Sequence, residues 1–509
     1  MSRLTLPLIL SVLLALLTAC AAPSQPPAPS PSPSPPAEVR QITIFYTSDE
    51  HGYLEPREDG IYTIGGAAGL MAILREEGYD PQADTALLLS GGDMWVGPAI
   101  SSWFRGASTI EVFNQMGYDA AAIGNHDFDY GPEVLAERAE QAEFPFLSAN
   151  LTEVDTGRSP SYAHPYAIRE VNGVRVGIVG LSLRTTPEIV LPEHVEGLAF
   201  GDYAEALRET VPRVRAEGAD LVIVVSHVCG SDLLNLTPVA AELGIPLLAG
   251  GHCHRLAIAE RLGVQVIAPG AHMAYAVRAD IFYDPATGTV VDQQAQAIWN
   301  RYRTTKGPPV PPDPEVAAIV DRWADEVEEA LGEVIGYTAD GIPVGWEMYN
   351  LVTDAWLWYV PEADLAISNL GGFREDIPPG EITLADVVAV LPFENTLIEV
   401  ELTGEEVVEN LRCCGGAVAG MRAEGIGDDL TVVLDDGSPI DPEAVYRVLV
   451  NSYMYQGGDD YLFSQQDPDA YDTGIHWREP VIEWIRAQET GPDRPLEGLI
   501  DGQPRGPGW

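Results

Sequence analysis

Short hydrophobic runs alternate with longer mixed stretches from residue 41 onward, and this pattern predicts a succession of buried strands and helices. The stretch 65–77 is predicted to be a helix, and the stretch 99–116 is predicted to be mostly helical. The predicted strands are short and mostly aliphatic, and they cover residues 41–46, 85–89, 120–123, 146–149, 174–179 and the run that begins at Leu221. Such alternation is typical of an α/β fold, in which helices cover a sheet and ligands bind beyond the carboxyl ends of the strands.

A proline-rich stretch at residues 307–314 interrupts this pattern and predicts a boundary between two domains. The sequence Asp313-Pro314-Glu315 at its end predicts the start of a helix, because proline is favoured in the first helical turn. The apolar residues that follow would line one side of that helix: Val316, Ile319, Val320, Trp323, Val327 and Leu331.

The first residues are typical of a secretory leader. Arg3 precedes an apolar run at 4–17 that is short for a membrane span, and the run ends in Leu17-Thr18-Ala19-Cys20. This ending resembles the bacterial lipobox, which implies cleavage before Cys20, acylation of that cysteine and attachment to a bacterial membrane. A plain secretory signal is the alternative. Either leader places the protein outside the cytoplasm, in the periplasm or on the cell surface. The residues that follow, 21–39, are rich in proline and serine and predict an extended tether.

Length and charge limit the possible partners. The 509 residues exceed what one hydrophobic core usually organises and suggest two to four domains. The chain has 28 basic and 77 acidic residues, which gives a net charge of −49. Because such a surface repels polyanions, we expect no nucleic-acid polymer as partner, and contact with a membrane only through the N-terminal anchor. A monomer is expected.

Five cysteines are present, with neither zinc-finger spacing nor the density of a disulfide scaffold. Cys229 and Cys253 lie in two different polar motifs, and two separate buried thiols are favoured over a bridge between them. Cys413 and Cys414 are adjacent, so that a bridge between them would be strained, and their redox state stays open.

Polar motifs rich in Asp, Asn, Gly and His follow the predicted strands. Imidazoles and carboxylates gathered at strand ends favour a metal site, and the clustering of five of the nine histidines in these loops makes the joint signal strong. His164, His194, His272 and His476 match no motif and are expected to be ordinary core or surface residues. The motifs, in chain order, are Asp49-Glu50-His51, Gly92-Asp93, Gly124-Asn125-His126-Asp127-Phe128-Asp129, His227, and Gly251-His252-Cys253-His254.

This order of motifs resembles that of the calcineurin-like metallophosphoesterases, and most of all the 5′-nucleotidase and UDP-sugar hydrolase family, over roughly residues 41–470. The resemblance implies a four-layered α/β N-terminal domain with helices around a β-sandwich, a connecting helix, and a smaller α/β nucleotide-binding domain. The expected organisation is a leader at 1–20, a tether at 21–39, a metallophosphoesterase domain at 40–306, a linker and helix at 307–335, a C-terminal domain at 336–490 and a tail at 491–509.

The resemblance further implies two divalent metal ions that share Asp93. Asp49, His51, Asp93 and His254 would hold one ion, and Asp93, Asn125, His227 and His252 would hold the other. Two ions suit phosphoester cleavage because they supply a nucleophilic hydroxide and neutralise developing charge, and the oxygen and imidazole ligands fit Zn, Mn, Fe or Co. His126 matches the family's non-ligand histidine; it would pair with Asp129, with Asp127 as the alternative partner, and assist catalysis.

Residues of the second half would bind the substrate. By the resemblance, Phe393 and Tyr453 would stack on a nucleotide base, Asn395 and Asp459 would bind base or ribose, and Arg374 with Asn369 would face phosphate or sugar oxygens. The family has arginines just before the Asn-Leu pair that corresponds to Asn350-Leu351, and residues 341–351 contain none. The range of substrates could therefore extend beyond 5′-monophosphates.

These observations favour an extracytoplasmic hydrolase that releases phosphate from nucleotides through attack of a hydroxide held by two metal ions on phosphorus. The alternatives on the same fold are hydrolysis of UDP-sugars, 2′,3′-cyclic nucleotides, other small phosphoesters or thiosulfate esters. An alternative of another class is a nucleotide-binding lipoprotein without catalysis, which the seven potential metal ligands together with His126 disfavour.

Overall fold

Two six-stranded sheets carry the first half of the chain in the computed structural model, which describes residues 38–425 and 427–507. The predicted leader, Cys20 and the tether up to residue 37 lie outside the described residues. The first sheet has the order Thr289–Trp299, Tyr275–Asp284, Arg40–Thr47, Ala86–Ser90, Ala120–Ala122 and Phe146–Leu147. The second has the order Leu256–Arg261, Val264–Pro269, Leu247–Ala249, Leu221–Ser226, Val174–Leu181 and Tyr166–Val171.

The two sheets pack face to face and helices cover their outer faces. Ile44 of the first sheet and Ile178 of the second belong to one buried cluster between the sheets. Helices Gly66–Glu76, Ala107–Met116, Gly131–Gln141 and Pro314–Leu331 cover the first sheet, and helices Tyr203–Ala216 and Gly230–Glu242 cover the second. The four-layered α/β arrangement expected from the sequence is therefore confirmed.

The second half contains a smaller five-stranded sheet. Its strands have the order Ala417–Ala419, Leu365–Ser368, Val445–Asn451, Thr396–Thr403 and Tyr471–His476. Helices Trp346–Tyr359 and Glu479–Ala487 pack on one face, and helix Gly404–Cys414 packs on the other. Shorter elements complete this half: strands Val334–Thr338, Gly380–Thr383, Met421–Glu424 and Thr431–Leu434, and helices Leu384–Val390, Ser452–Tyr455 and Phe463–Gln466.

The first half also has small peripheral elements. Strands Arg57–Asp59, Tyr62–Ile64 and Arg301–Arg303 form a three-stranded sheet, and Leu151–Glu153 pairs with Leu198–Phe200. Helices Ala99–Ser102 and Thr186–Ile189 are single turns.

The helix after the proline-rich stretch begins where the sequence predicts. The Asp313 carboxylate accepts hydrogen bonds from the N–H groups of Glu315 and Val316, both at 3.1 Å, and thereby caps helix Pro314–Leu331. Val316 lies in the core of the first half, while Leu331 contacts the cluster that contains Val388 of the second half. The helix thus contacts both halves of the molecule.

One predicted helix is divided into two. The stretch 99–116 forms Ala99–Ser102 and Ala107–Met116, because Arg105 (φ 49°) and Gly106 (φ 81°) adopt left-handed backbone conformations between them. A Cβ at Gly106 would lie 2.8 Å from the Trp95 ring, so the turn requires glycine for space as well as for its φ angle. The prediction that 99–116 is mostly helical is therefore confirmed, and the left-handed turn interrupts the helix.

Two pairs of cysteines are bonded. The expectation of separate thiols at Cys229 and Cys253 is wrong: they form a disulfide with a Cα–Cα distance of 5.3 Å, because they follow neighbouring parallel strands, Leu221–Ser226 and Leu247–Ala249. Cys413 and Cys414 also pair, with a Cα–Cα distance of 3.8 Å.

Within the part of the chain that the structure describes, no helix combines the length and the apolar character needed to cross a bilayer.

Candidate active site

The predicted metal ligands all follow strands that run parallel in the two stacked sheets. Strands Arg40–Thr47, Ala86–Ser90 and Ala120–Ala122 are parallel neighbours in the first sheet, and Leu221–Ser226 and Leu247–Ala249 are parallel neighbours in the second. Their carboxyl ends therefore lie at one edge of the sandwich, where ligands of α/β folds gather. The side chains delivered there are Asp49, His51, Asp93, Asn125, His227, His252 and His254.

Several of these residues have a left-handed backbone, which is uncommon for residues other than glycine. Such conformations cost free energy and are concentrated at functional sites, where neighbouring contacts hold them. A side chain at Gly124 would collide with Asp93, so this loop also needs a glycine. The left-handed ligand residues are Asp49, His51, Asp93, His252 and His254.

Asp93 lies at the centre of the cluster. Its Oδ2 is 3.0 Å from Nε2 of His227 and 3.8 Å from Nε2 of His51. Two groups of potential ligand atoms, each within 4.8 Å of one another, share this aspartate: one is Asp49, His51 and Asp93, and the other is Asp93, His227 and His252. Asp93 is therefore placed to contribute to two neighbouring metal positions.

The loops of the two sheets are joined across the site. The Asp49 carboxylate accepts hydrogen bonds from the His252 N–H at 2.8 and 3.1 Å. Nε2 of His254 is 3.4 Å from Oδ1 of Asp49 and 3.1 Å from Nε2 of His51. Asp49 thus fixes the His252 loop against the first sheet and brings the His51 and His254 rings together.

The hydrogen bonds of the buried histidines suit metal ligands. Nδ1 of His51 is 3.0 Å from the Val96 carbonyl, and Nδ1 of His227 is 2.9 Å from the Gly91 carbonyl. Because a carbonyl only accepts, each Nδ1 donates, and each ring in its neutral form presents an Nε2 lone pair to the cluster. Among the described residues, the buried Oδ1 of Asn125 has no hydrogen-bond donor, an energetic cost that a cation would remove. The donor set therefore fits divalent metal ions.

Charge and burial shift the protonation of the site without metal. Burial lowers the pKa of His252 and of His254 to about 4, so both rings are neutral near pH 7. Burial also lowers the pKa of His227, but the adjacent Asp93 carboxylate reverses the effect and raises it above the ordinary value. Since a ligand must be deprotonated, an ion that binds His227 displaces that proton.

His126 pairs with Asp129 and lies beside the cluster. Nδ1 of His126 is 2.6 Å from Oδ2 of Asp129, and its ring centroid is 5.3 Å from that of His51. Asp127, the alternative partner, instead accepts hydrogen bonds from the N–H groups of Gly124 and Met94, at 2.7 and 3.0 Å. The structure therefore uses Asp127 to hold two ligand loops together, and uses Asp129 to orient the imidazole.

A cavity of about 590 Å³ extends from this cluster to the second half of the molecule. Phe393 forms part of its wall, with its ring 6.0 Å from the His126 ring and 5.9 Å from the Arg374 guanidinium carbon. All the predicted substrate-binding residues line the cavity together with part of the metal cluster: Asn369, Arg374, Phe393, Asn395, Tyr453 and Asp459, with Asn125, His126, Asp129 and His252.

Asp459 organises one side of the cavity. Its carboxylate accepts hydrogen bonds from the Tyr453 hydroxyl and from the Asn369 amide, both at 2.8 Å. Asn395 accepts a hydrogen bond from the Ser452 hydroxyl at 3.2 Å. These contacts orient Tyr453, the aromatic ring expected to stack on a base.

Sequence reasoning missed some residues of the cavity and of the cluster, among them a histidine and an arginine. His272, expected to be an ordinary histidine, has a ring nitrogen within 4.8 Å of those of His51 and His254 and is therefore a further potential ligand. It follows strand Val264–Pro269, and the rule of strand carboxyl ends could have identified it. Arg105 lines the cavity from the left-handed turn that the sequence did not predict.

Comparisons with protein-family models give two matches. Residues 343–465 match the C-terminal domain of the 5′-nucleotidases. Residues 98–268 match the bacterial capsule synthesis protein PGA_cap, a stretch that contains Asn125, His227, His252 and His254. The second match covers part of the sandwich, and the first covers most of the second half.

Full-length relatives share both halves. The chain is 26% identical to a 5′-nucleotidase from Vibrio cholerae serotype O1 over 502 residues, 88% of this chain and 90% of the relative. A solved 5′-nucleotidase precursor from Thermus thermophilus has a TM-score of 0.77 at 26% identity and covers 91% of this chain and 98% of its own. The sulfate thiohydrolase SoxB of Thermus thermophilus shares the fold, with a TM-score of 0.71 at 20% identity over 91% of this chain and 96% of its own. In its C-terminal domain, its fold and its sequence along nearly the whole chain, this protein is similar to the 5′-nucleotidases.

Proposed function

We propose that this protein is a metal-dependent hydrolase that releases phosphate from nucleotides outside the cytoplasm. The observation that carries the proposal is the continuity of a single cavity, which has the His and Asp cluster at one end and Phe393, Tyr453 and Arg374 at the other. A nucleotide has the matching polarity, with a phosphate at one end and a flat base at the other. The similarity to 5′-nucleotidases supports the same substrate class.

The metal cluster would hold two divalent ions that share Asp93. Asp49, His51 and His254 would complete one position, and Asn125, His227 and His252 would complete the other. Ions in such positions lower the pKa of a bound water and neutralise charge on phosphoryl oxygens. Mixed oxygen and imidazole ligands are compatible with Zn, Mn, Fe or Co.

His126 would donate a proton or a hydrogen bond at the reacting phosphate. Although burial lowers the pKa of His126, the carboxylates of Asp129 and Asp93 raise it above the ordinary value. The raised pKa extends the imidazolium form to higher pH, and Asp129 holds its Nδ1–H while the ring lines the cavity. A group of this kind stabilises a phosphoryl oxygen or protonates the leaving oxygen.

The second half would bind the rest of the nucleotide. Phe393 and Tyr453 offer ring faces for a base, and Arg374 offers a guanidinium to phosphate or sugar oxygens. Residues 341–351 lack the arginines of the family, whereas Arg105 brings another guanidinium to the cavity from the first half. We therefore propose activity on 5′-monophosphates and also on di- and triphosphates, cyclic nucleotides or UDP-sugars.

A panel of hydrolysis assays tests the function. Protein stripped with a chelator is supplied with Zn, Mn, Fe or Co. Hydrolysis is then measured for nucleotides, UDP-sugars, p-nitrophenyl phosphate and a thiosulfate ester, and nucleotide binding is measured alongside. We expect no release from the stripped protein and recovery with at least one metal. Nucleotide binding without hydrolysis under any metal would instead favour the binding lipoprotein, and cleavage confined to thiosulfate esters would favour the other hydrolase class.

The proposed enzyme is attached to a membrane at its N-terminus and has two domains. We propose that Cys20 carries a lipid anchor and that residues 21–39 tether a monomeric enzyme made of domains at 40–306 and 336–490, a linker at 307–335 and a tail at 491–509. Labelled palmitate should be incorporated into the full chain expressed in a bacterium, and Cys20→Ser should abolish the label. Release of the labelled and Cys20→Ser proteins alike into the soluble fraction would contradict the anchor.

A further inference from the structure

We propose that His272 supplies a third imidazole to the ion held by His51 and His254. The inference rests on the proposed metal site and assigns it a ligand outside the motif set. A ring nitrogen of His272 lies within 4.8 Å of ring nitrogens of both His51 and His254, the separation expected for side chains around one cation. The ring centroids are 5.6 Å from His51 and 5.2 Å from His254, with the rings nearly perpendicular.

The backbone places His272 at the cluster at an energetic cost. It follows strand Val264–Pro269, and both His272 (φ 59°) and Met273 (φ 55°) are left-handed. Its N–H donates to the Asp49 carbonyl at 2.8 Å, so the turn is attached to a ligand residue of the first sheet. Two consecutive left-handed residues are maintained where a side chain must be held in a particular place.

The ring of His272 is oriented from its other side. It stacks on Tyr53 with a centroid distance of 4.1 Å and an interplanar angle of 21°, and the Arg57 guanidinium lies 3.9 Å from the centre of the Tyr53 ring. Arg57 also donates to the His272 carbonyl at 3.3 Å. Stacking fixes the plane of the imidazole and leaves its edge, which carries the nitrogens, available to the cluster.

A third imidazole would make the two metal positions unequal. His51, His254 and His272 would give one ion three nitrogen ligands besides the carboxylates of Asp49 and Asp93, whereas the other position has the imidazoles of His227 and His252 with oxygen ligands. Nitrogen-rich sites favour Zn, Co or Fe over Mn or Mg. The metal position formed by His51, His254 and His272 is therefore expected to discriminate more strongly between metal ions than the position formed by His227 and His252.

Metal binding by the purified full-length protein tests the assignment. The stripped protein is titrated with Zn²⁺ in competition with a chromophoric chelator, for wild type, His272→Ala and His272→Phe, with His164→Ala as a control at an exposed histidine away from the cluster. We expect both His272 variants to weaken one of two binding steps about tenfold or more. The other step and the His164→Ala protein should match wild type, and circular dichroism of the metal-free variants should be unchanged.

His272→Phe separates ligation from packing, because phenylalanine keeps the stack on Tyr53 but has no nitrogen. Wild-type affinity in His272→Phe would overturn the proposal and assign His272 a packing role.

Proton spectra of the Co²⁺-loaded protein count the bound imidazoles directly, since each of them contributes a shifted, exchangeable N–H resonance. His272→Phe should lose one such resonance, and an unchanged number would also overturn the proposal. Failure of wild type to bind any divalent ion would instead refute the proposed function itself.

Discussion

His126 is the residue whose environment most clearly favours a chemical role. Its Nδ1 faces Asp129 at 2.6 Å and its backbone N–H donates to Asp93 at 2.8 Å, so two carboxylates act on one partly buried ring. These carboxylates favour the charged imidazole although burial opposes it. The residue is close to the proposed ions and is held by groups that are fixed in the folded protein.

Replacement of His126 tests whether it acts in the chemistry. We expect His126→Ala to lower kcat for nucleotide hydrolysis about 10²- to 10⁴-fold, the usual contribution of a positioned acid or base. Metal content, measured by elemental analysis, should stay at the wild-type level because His126 is not a proposed ligand. His164→Ala serves as the matched control with wild-type kcat, and loss of metal from His126→Ala would show that the role assignment is wrong.

Asp129 should help to set the pH above which kcat declines. The pKa of His126 is raised in the folded protein, so the imidazolium is present at lower pH and is lost as pH rises through that pKa. Asp129→Asn removes one of the charges that raise this pKa. Profiles of kcat against pH should therefore show the alkaline decline at lower pH in Asp129→Asn than in wild type. A decline at the same pH in both proteins would mean that another group controls it.

The disulfide between Cys229 and Cys253 acts at the level of elements, because it joins the loops that follow two neighbouring strands. One loop carries His227 and the other carries His252 and His254, and the bonded cysteines are 24 residues apart in sequence. The bond limits how far the two ligand loops can separate. It also reduces the conformational entropy of the unfolded chain.

Removal of this disulfide should lower both stability and metal affinity. For Cys229→Ser with Cys253→Ser we expect the free energy of unfolding in urea to fall by about 2–4 kcal/mol, and zinc binding to weaken. The matched control is Cys413→Ser with Cys414→Ser, which removes a bond between residues separated by 1 in sequence and far less chain constraint. Equal losses of stability in the two double variants would contradict the loop-closure explanation.

Another element-level feature is the turn that divides residues 99–116. Its left-handed residues, Arg105 and Gly106, interrupt the helix and place Arg105 at the cavity. The proposed metal ligands also lie in loops that follow regular strands. Left-handed residues in these loops direct side chains toward the metal cluster. Regular elements thus fix the position of the site, while irregular turns determine which side chains reach it.

At the scale of the whole molecule, the cavity depends on both halves of the chain. His126 and Asp129 line it from the first half, and Phe393 and Tyr453 line it from the second. Helix Pro314–Leu331 contacts the cores of both. In the proposed enzyme, specificity for the base and reaction at phosphorus would therefore be supplied by separate parts of the fold.

Phe393→Ala should separate these two contributions. We expect KM for nucleotides to rise about tenfold, because stacking on a base contributes about 1–3 kcal/mol, while KM for p-nitrophenyl phosphate changes little. The measurement is steady-state hydrolysis of both substrates by wild type and variant. Equal increases in both KM values would refute stacking and attribute the effect to the shape of the cavity.

The amino-acid sequence by itself determined the α/β class, the strand runs and the ligand motifs at the strand ends. These features are local: a buried strand requires consecutive apolar residues, and the residues that follow it are polar and rich in glycine. The order of Asp49, Asp93, Asn125 and His227 therefore identified the site before their distances were known. The pairing of Asp129 rather than Asp127 with His126 also agrees with the local motif.

Only the tertiary structure decided which distant residues meet. The disulfide, the approach of His272 to His51 and the division of a helix at Gly106 each depend on contacts between separate segments of the chain. A lone histidine or cysteine carries no periodic signal, and a place after a strand does not by itself specify which residues it will contact once the sheets are stacked. Packing of the two halves likewise created the cavity, because neither half alone supplies both the metal cluster and the aromatic wall.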